Sequence, residues 1–190
     1  MAQRNRSHRS NMRHQFGKTP PPSLQRSTFD RSCSHKTTFN AGRIIPIYWS
    51  EVLPGDTVTL SVSHVVRMAT PIKPVMDNLW IDFQHWFVPL RQLWDNFPYF
   101  MGEQESPGDS TDFLVPQNDN TGNPVNEFGL LNYLGLPVGF EGEVSAFPIR
   151  CYDWIYHNWY RDENLNDSIP QSKDDGPDAR TGGSFPPPRS

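Results

Sequence analysis

The chain of 190 residues carries 35% hydrophobic and 13% aromatic side chains at a formal net charge of −4, which excludes a fully disordered chain and allows one domain of ordinary size with a real core. Its 19 prolines, about twice the average usage, imply many loops and short elements. Two cysteines, Cys33 and Cys151, sit in no Cys-x-x-Cys or Cys/His ligand spacing, which excludes a disulfide framework or zinc module and reads as reduced thiols in a cytoplasmic setting.

The charge is unevenly spread. Arg4, Arg6, Arg9, Arg13, Lys18, Arg26, Arg31, Lys36 and Arg43 face Asp30 alone in the first 43 residues, so the remainder is strongly acidic. A basic arm on an acidic body predicts polyanion contact by the arm, against the blander reading of a solvated tail. Residues 1–26 have almost no apolar side chain before Phe16 and then run through Thr19-Pro20-Pro21-Pro22, an expected extended arm stiffened at its exit. No apolar run follows the basic start, so no signal peptide is expected, and no segment is long and apolar enough to span a bilayer.

Next, "RIIPIYWSEV" reads as a short apolar strand whose Pro46 favours an edge. After the turn signal Pro54-Gly55-Asp56, residues 57–68 alternate, with Val58, Leu60, Val62 and His64 opposite Thr57, Thr59, Ser61 and Ser63, and Pro71 closes the stretch. The run "LWIDFQHWFVPL" alternates again, with Leu79, Ile81, Phe83, His85 and Phe87 opposite Trp80, Asp82, Gln84, Trp86 and Val88. Three strand-like segments between Pro/Gly/Asp turns predict an all-β sandwich or barrel. "RQLWDNFPYFMG" reads as a helical turn interrupted by Pro98, and residues 103–127 as a long polar surface excursion. "EFGLLNYLGLP" predicts a short helix ended by Gly135 and Pro137. The best helix is "SAFPIRCYDWIYHNWYRDENL", expected to pack Cys151, Ile155 and Trp159 on the β layer, with Tyr152, Tyr156 and Tyr160 as the neighbouring stripe and Asp153, His157 and Arg161 nearer the rim.

Chemistry is sparse. His64 and His85 lie on the apolar side of alternating segments, where a lone histidine is more often a core or interface residue than a metal ligand. Glu103 with Glu105, and Asp174 with Asp175, fall in loops rather than in an apolar cleft that would raise one carboxyl for paired-acid catalysis. Ser34, His35 and Lys36 are adjacent and therefore point apart, and no phosphate-binding glycine motif occurs. Trp49, Trp80, Trp86, Trp94, Trp154 and Trp159 are read as core and subunit contacts rather than stacking platforms for bases or sugars.

One set of ordered motifs goes further. Phe29-Asp30-Arg31-Ser32, Lys36-Thr37-Thr38-Phe39-Asn40-Ala41-Gly42, Ile45-Pro46-Ile47-Tyr48, Glu51-Val52-Leu53-Pro54-Gly55-Asp56-Thr57, Thr70-Pro71-Ile72, Pro74-Val75-Met76-Asp77-Asn78-Leu79, Phe87-Val88-Pro89-Leu90-Arg91, Trp94-Asp95-Asn96 and a block at 152–165 ending "NWYRDENL" resemble the N-terminal part of the major capsid protein of the Microviridae, small single-stranded DNA bacteriophages, and of their gokushovirus branch. The resemblance covers most of residues 27–178. It implies a mainly β fold, the eight-stranded antiparallel viral jelly roll, with long loops and short helices. It also implies a non-enzymatic subunit without cofactor or metal, which self-assembles into an icosahedral shell around a single-stranded DNA genome. Implied partners are other copies, that DNA, internal scaffolding and minor virion proteins and a host surface receptor, with no membrane. The implied location is the virion, with assembly in host cytoplasm.

On this reading the arm residues Arg4, Arg6, Arg9, Arg13 and Lys18 face phosphate. The matching motif positions are Asp30, Arg31, Lys36, Pro54, Gly55, Asp56, Pro71, Asp77, Asn78, Trp94, Asp95 and Asn96. The chain departs from the family pattern at Cys33-Ser34-His35, where a histidine is expected directly after the serine, and again over 179–190, "ARTGGSFPPPRS", an atypical tail. That abrupt change predicts a truncated or frame-shifted copy with an incomplete barrel. From a different class comes the alternative of a single-stranded nucleic-acid-binding β-module that forms no shell.

Overall fold

The computed structural model describes residues 24–178. The arm residues Arg4, Arg6, Arg9, Arg13 and Lys18, and the tail at 179–190, lie outside the described residues. The chain divides into two compact units, Met1–Ser34 and His35–Ser190. In the first, Asp30 Oδ1 accepts hydrogen bonds from the Ser32 backbone N–H at 2.9 Å and the Ser32 hydroxyl at 2.5 Å, a side-chain turn that substitutes for regular structure.

In the second unit the only strands among the described residues are β1 (Gln117–Asp119) and β2 (Glu143–Ser145), an antiparallel pair with Asn118 opposite Val144. The pair is extended by Asn120 N–H to Gly142 O at 3.1 Å and Ala146 N–H to Pro116 O at 3.0 Å. Between the strands sits α2 (Leu130–Tyr133). It ends as the sequence predicts: Gly135, at φ 106°, donates to Asn132 O, and Leu136 donates to Leu131 O, closing the last turn before Pro137. Val125, Leu131 and Ile149 form the centre of the core, with Leu134, Leu136 and Phe140 packed against it. Each such side chain removed from water contributes about 1.5–3 kcal/mol.

The segment preceding α1 (Phe97–Phe100) forms a short 3-10 turn, Leu90–Gln92. Pro98 does not interrupt α1 as expected but starts it, since the first helical turn has no use for the missing N–H. α3 (Phe147–Ile155) likewise opens with Pro148, and continues through a wider turn, Tyr156–Tyr160, closed by Arg161 N–H to Tyr156 O at 2.9 Å.

The face that α3 buries corrects the expectation. Ile149, Arg150 and Tyr152 are buried on α3 and Tyr156 just beyond it, while Trp159 is 60% exposed. Tyr152 wins the interior because its hydroxyl finds an acceptor there, as described below. The surface excursion expected at 103–127 is also corrected: it holds β1 and the buried Pro116, Asn118, Asn120 and Val125.

The barrel strands expected at 57–68 and 79–88 form no strand here. Alternation makes a segment fit for a sheet, but only a neighbouring backbone makes it a strand, and among the described residues none pairs with these. Likewise, of the six tryptophans only Trp94 is fully buried; Trp80 is 87% exposed.

Candidate assembly surface and its polar anchor

Residues 52–88 present a long series of exposed apolar side chains: Val58, Leu60, Val62, Val65, Ile72, Met76, Leu79, Trp80 and Phe87. Val65, Ile72 and Met76 are 98%, 104% and 94% exposed. A monomeric protein rarely leaves so many large apolar side chains open to water, which makes the stretch a candidate contact face. The stretch is entered by a tight turn in which Asp56 N–H donates to Leu53 O at 3.1 Å and Leu53 N–H donates to Asp56 Oδ2 at 3.1 Å. Gly55 sits at φ 87°, which suits glycine. The motif Pro54-Gly55-Asp56 thus does what its residue types predict: it fixes where the alternating stretch begins.

The same unit holds a polar anchor that sequence reasoning missed. Arg150 is buried on α3. Its Nε donates to Asp178 Oδ2 at 2.8 Å and its Nη2 to Asp178 Oδ1 at 2.9 Å, the paired fork that guanidinium and carboxylate geometry favours. Nη1 donates to Leu93 O at 3.1 Å and Nη2 to Asp174 O at 3.0 Å. Asp175 accepts from Trp94 Nε1 at 2.5 Å and from Asn96 Nδ2 at 2.8 Å. Backbone bonds from Asp95 N–H to Lys173 O and from Asp178 N–H to Gln117 O complete the junction. Three stretches far apart in sequence, 93–96, α3 and 173–178, therefore meet at one guanidinium, and 117–118 joins them through the Asp178 backbone. A cleft of about 270 Å³ lies beside it, lined by Leu93, Ile149, Asp153, Ile169 and Lys173 among others. The available sequence signal was an arginine set between apolar residues in the best helix, with a carboxylate run at 174–178 to receive it.

A second set of contacts ties residues 38–49 to the helices. Tyr133 Oη donates to Thr38 O at 2.8 Å, Tyr152 Oη to Ile44 O at 2.9 Å, and Trp49 Nε1 to Leu134 O at 3.0 Å. Tyr133 and Tyr152 are buried aromatic bodies with a polar tip at a backbone carbonyl, and Trp49, about half exposed, reaches one through its indole N–H. Trp86 meets Trp159 at a ring distance of 4.8 Å and Tyr160 at 6.1 Å, and Tyr160 also donates to Gln84.

The motif positions fall into four groups. Trp94, Asp95 and Asn96 join the anchor, with Trp94 fully buried. Pro54, Gly55 and Asp56 make the turn. Lys36, Pro71, Asp77 and Asn78 are exposed, with Asn78 N–H donating to Asp77 Oδ1 at 2.7 Å. Asp30 and Arg31 are exposed in the first unit, where the Ser32 hydroxyl and then its N–H hold the Asp30 carboxyl below the usual carboxylate range.

His64 lies tilted against Phe83 at a ring distance of 4.4 Å, and His85 is exposed elsewhere on the stretch. Among the described residues, no three His, Cys, Asp or Glu side chains gather as a metal site, and no helix is long and apolar enough to cross a membrane. Cys151 is a thiol that burial pushes up to about 11, far from the range of a reactive nucleophile. The Glu103/Glu105 loop raises the Tyr99 phenol, chiefly through the Glu105 charge, then burial, with the Glu103 and Asp109 charges adding to it.

A small body held by a buried polar junction, carrying a long apolar stretch open to water and no gathered metal ligands among the described residues, has the character of a structural protein. The chain belongs to the capsid protein (F protein) family, which matches residues 18–185. It is 39% identical over 166 residues to capsid protein VP1 of Bdellovibrio phage phiMH2K, an alignment taking in 87% of this chain and 31% of that protein. It is 37% identical over 166 residues to capsid protein VP1 of Chlamydia phage 1, covering 84% of this chain and 28% of the relative. Capsid protein VP1 of Spiroplasma virus 4 is 32% identical over 142 residues, covering 70% and 25%. All three are gokushovirus-type Microviridae, and the chain spans a third or less of the length of each.

Proposed function

We propose that this chain acts as a structural virion subunit of the gokushovirus type, building an icosahedral shell around single-stranded DNA by self-association and carrying no enzymatic role or cofactor. The observation that carries this reading is the apolar stretch at 52–88, fully exposed at several positions and entered by a fixed turn. In the shell it becomes part of a jelly roll, with 57–68 and 79–88 acquiring the backbone partners that alternation calls for. Family membership over residues 18–185 supports the same reading. The domain division follows from it: an arm at 1–26, capsid fold at 27–178 and a tail at 179–190. Scaffolding and minor virion proteins and a host receptor are the further partners, and the virion, after assembly in host cytoplasm, is the location.

The motif positions act as architecture: Pro54, Gly55 and Asp56 set the start of a strand, and Trp94, Asp95 and Asn96 seat the helical region beneath it. Analytical ultracentrifugation tests the core of the proposal. The chain should sediment above monomer mass with rising concentration, and Leu60→Asp/Val62→Asp should remain monomeric. Identical monomeric behaviour of the two would overturn it.

The charge split supports a second reading, in which the arm binds single-stranded DNA without a shell. Replacing Arg4, Arg6, Arg9, Arg13 and Lys18 by Gln should flatten the dependence of log affinity on log salt by up to about 3 to 4, at about 0.7 for each phosphate no longer neutralised. Arm-dependent affinity in a chain that stays monomeric at every concentration would favour this reading over the shell.

A further inference from the structure

We propose that residues 90–178 form a body that folds ahead of residues 50–89 and without help from them, with the Arg150 fork as its closing pin. Three observations carry the inference. First, burial is one-sided: among the described residues none before Leu93 is buried, while Leu93, Trp94, Val125, Leu130, Leu131, Tyr133, Ala146, Ile149, Tyr152 and Tyr156 make up the apolar core. Second, the backbone bonds that join distant positions, from Asn120 to Gly142, Val125 to Phe140, Ala146 to Pro116 and Asp178 to Gln117, run within this body. Third, its two ends are tied by side chains of its own: Arg150 holds Leu93 O at one end and Asp178 at the other, and Trp94 and Asn96 hold Asp175.

Residues 57–66 have nothing comparable. Val58, Val65 and Val66 are 66%, 98% and 55% exposed, so ordering them gains little apolar burial to set against the loss of backbone entropy. The neighbouring run 79–88 touches the body at its margin, through Trp86 on Trp159 and Tyr160 on Gln84. Assembly then proceeds in two steps: a body with finished geometry exists first, and the alternating stretch orders only when protein covers it. The identity of the covering protein belongs to the function proposed above; the inference itself concerns the isolated chain and stands or falls separately.

Hydrogen exchange followed by mass spectrometry on the full chain in dilute solution tests it. Amides of the body at Asn120, Val125, Leu136, Ala146 and Arg150 should exchange at least about a hundredfold more slowly than those of residues 57–66. The triple variant Val58→Asp/Leu60→Asp/Val62→Asp should leave body protection unchanged within about twofold, whereas Arg150→Met should lower it at least about tenfold. Equal protection of residues 57–66 and the body would overturn the proposal. So would loss of body protection in the triple variant, or full body protection in Arg150→Met.

Discussion

Arg150→Met removes the centre of the polar junction while keeping an unbranched side chain of similar reach. The arginine and Asp178 side chains are only 5% and 13% exposed, so deleting the guanidinium leaves a largely desolvated carboxylate without its two charged donors, and two carbonyls, Leu93 O and Asp174 O, without theirs. Breaking a buried pair by removing one partner costs about 3–5 kcal/mol. Against a total stability of about 5–15 kcal/mol, that is enough to bring a body of this size close to unfolding. Urea denaturation followed by tryptophan fluorescence reads the change, because Trp94 is fully buried beside the junction. The midpoint should fall by more than about 1 M, given a slope of about 1–3 kcal/mol per M. The double variant Arg150→Met/Asp178→Leu should recover much of the loss, since an apolar pair has no charge to strand. A single variant within about 1 kcal/mol of the parent, at unchanged slope, would refute the argument that the junction holds the body together.

Three further outcomes follow from particular side chains. Cys151, pushed up to about 11 by burial, should react with a disulfide reagent at pH 8 at least about a hundredfold more slowly than a free thiol. Cys33 is exposed and should label at once, so rapid labelling of both would contradict the burial of α3. The Tyr99 phenol should keep its proton to higher pH than free tyrosine, because ionising it places a second negative charge beside Glu105. Added salt or Glu105→Gln should move the spectrophotometric titration back down, and insensitivity to both would remove the acidic loop as its cause. Phe128 sits at φ 60°, where a side chain costs about 1–2 kcal/mol. Phe128→Gly should therefore raise the urea midpoint, and a lower midpoint would mean that the ring contributes more through packing than its backbone strain costs.

Sequence alone settled what is local or ordered along the chain. The stop of α2 at Gly135, the turn at Pro54-Gly55-Asp56 and the helix from residue 147 each depend on a residue's own φ preference or missing N–H, which neighbours in space do not alter. The family was legible for a related reason: its motifs are short, ordered and spread from Phe29 to Leu165. Tertiary structure decided what depends on distant company. Alternation at 57–68 specifies two faces but not a neighbour, so it leaves open whether a strand exists before that neighbour arrives. The buried face of α3 was decided by a hydroxyl acceptor at Ile44 O, and Tyr133 of α2 was seated in the same way at Thr38 O, both far away in sequence. Arg150 became the centre of the polar junction because Asp178 and Leu93 O came within reach of it, and a charge is stable inside a protein only where the whole fold supplies its partners.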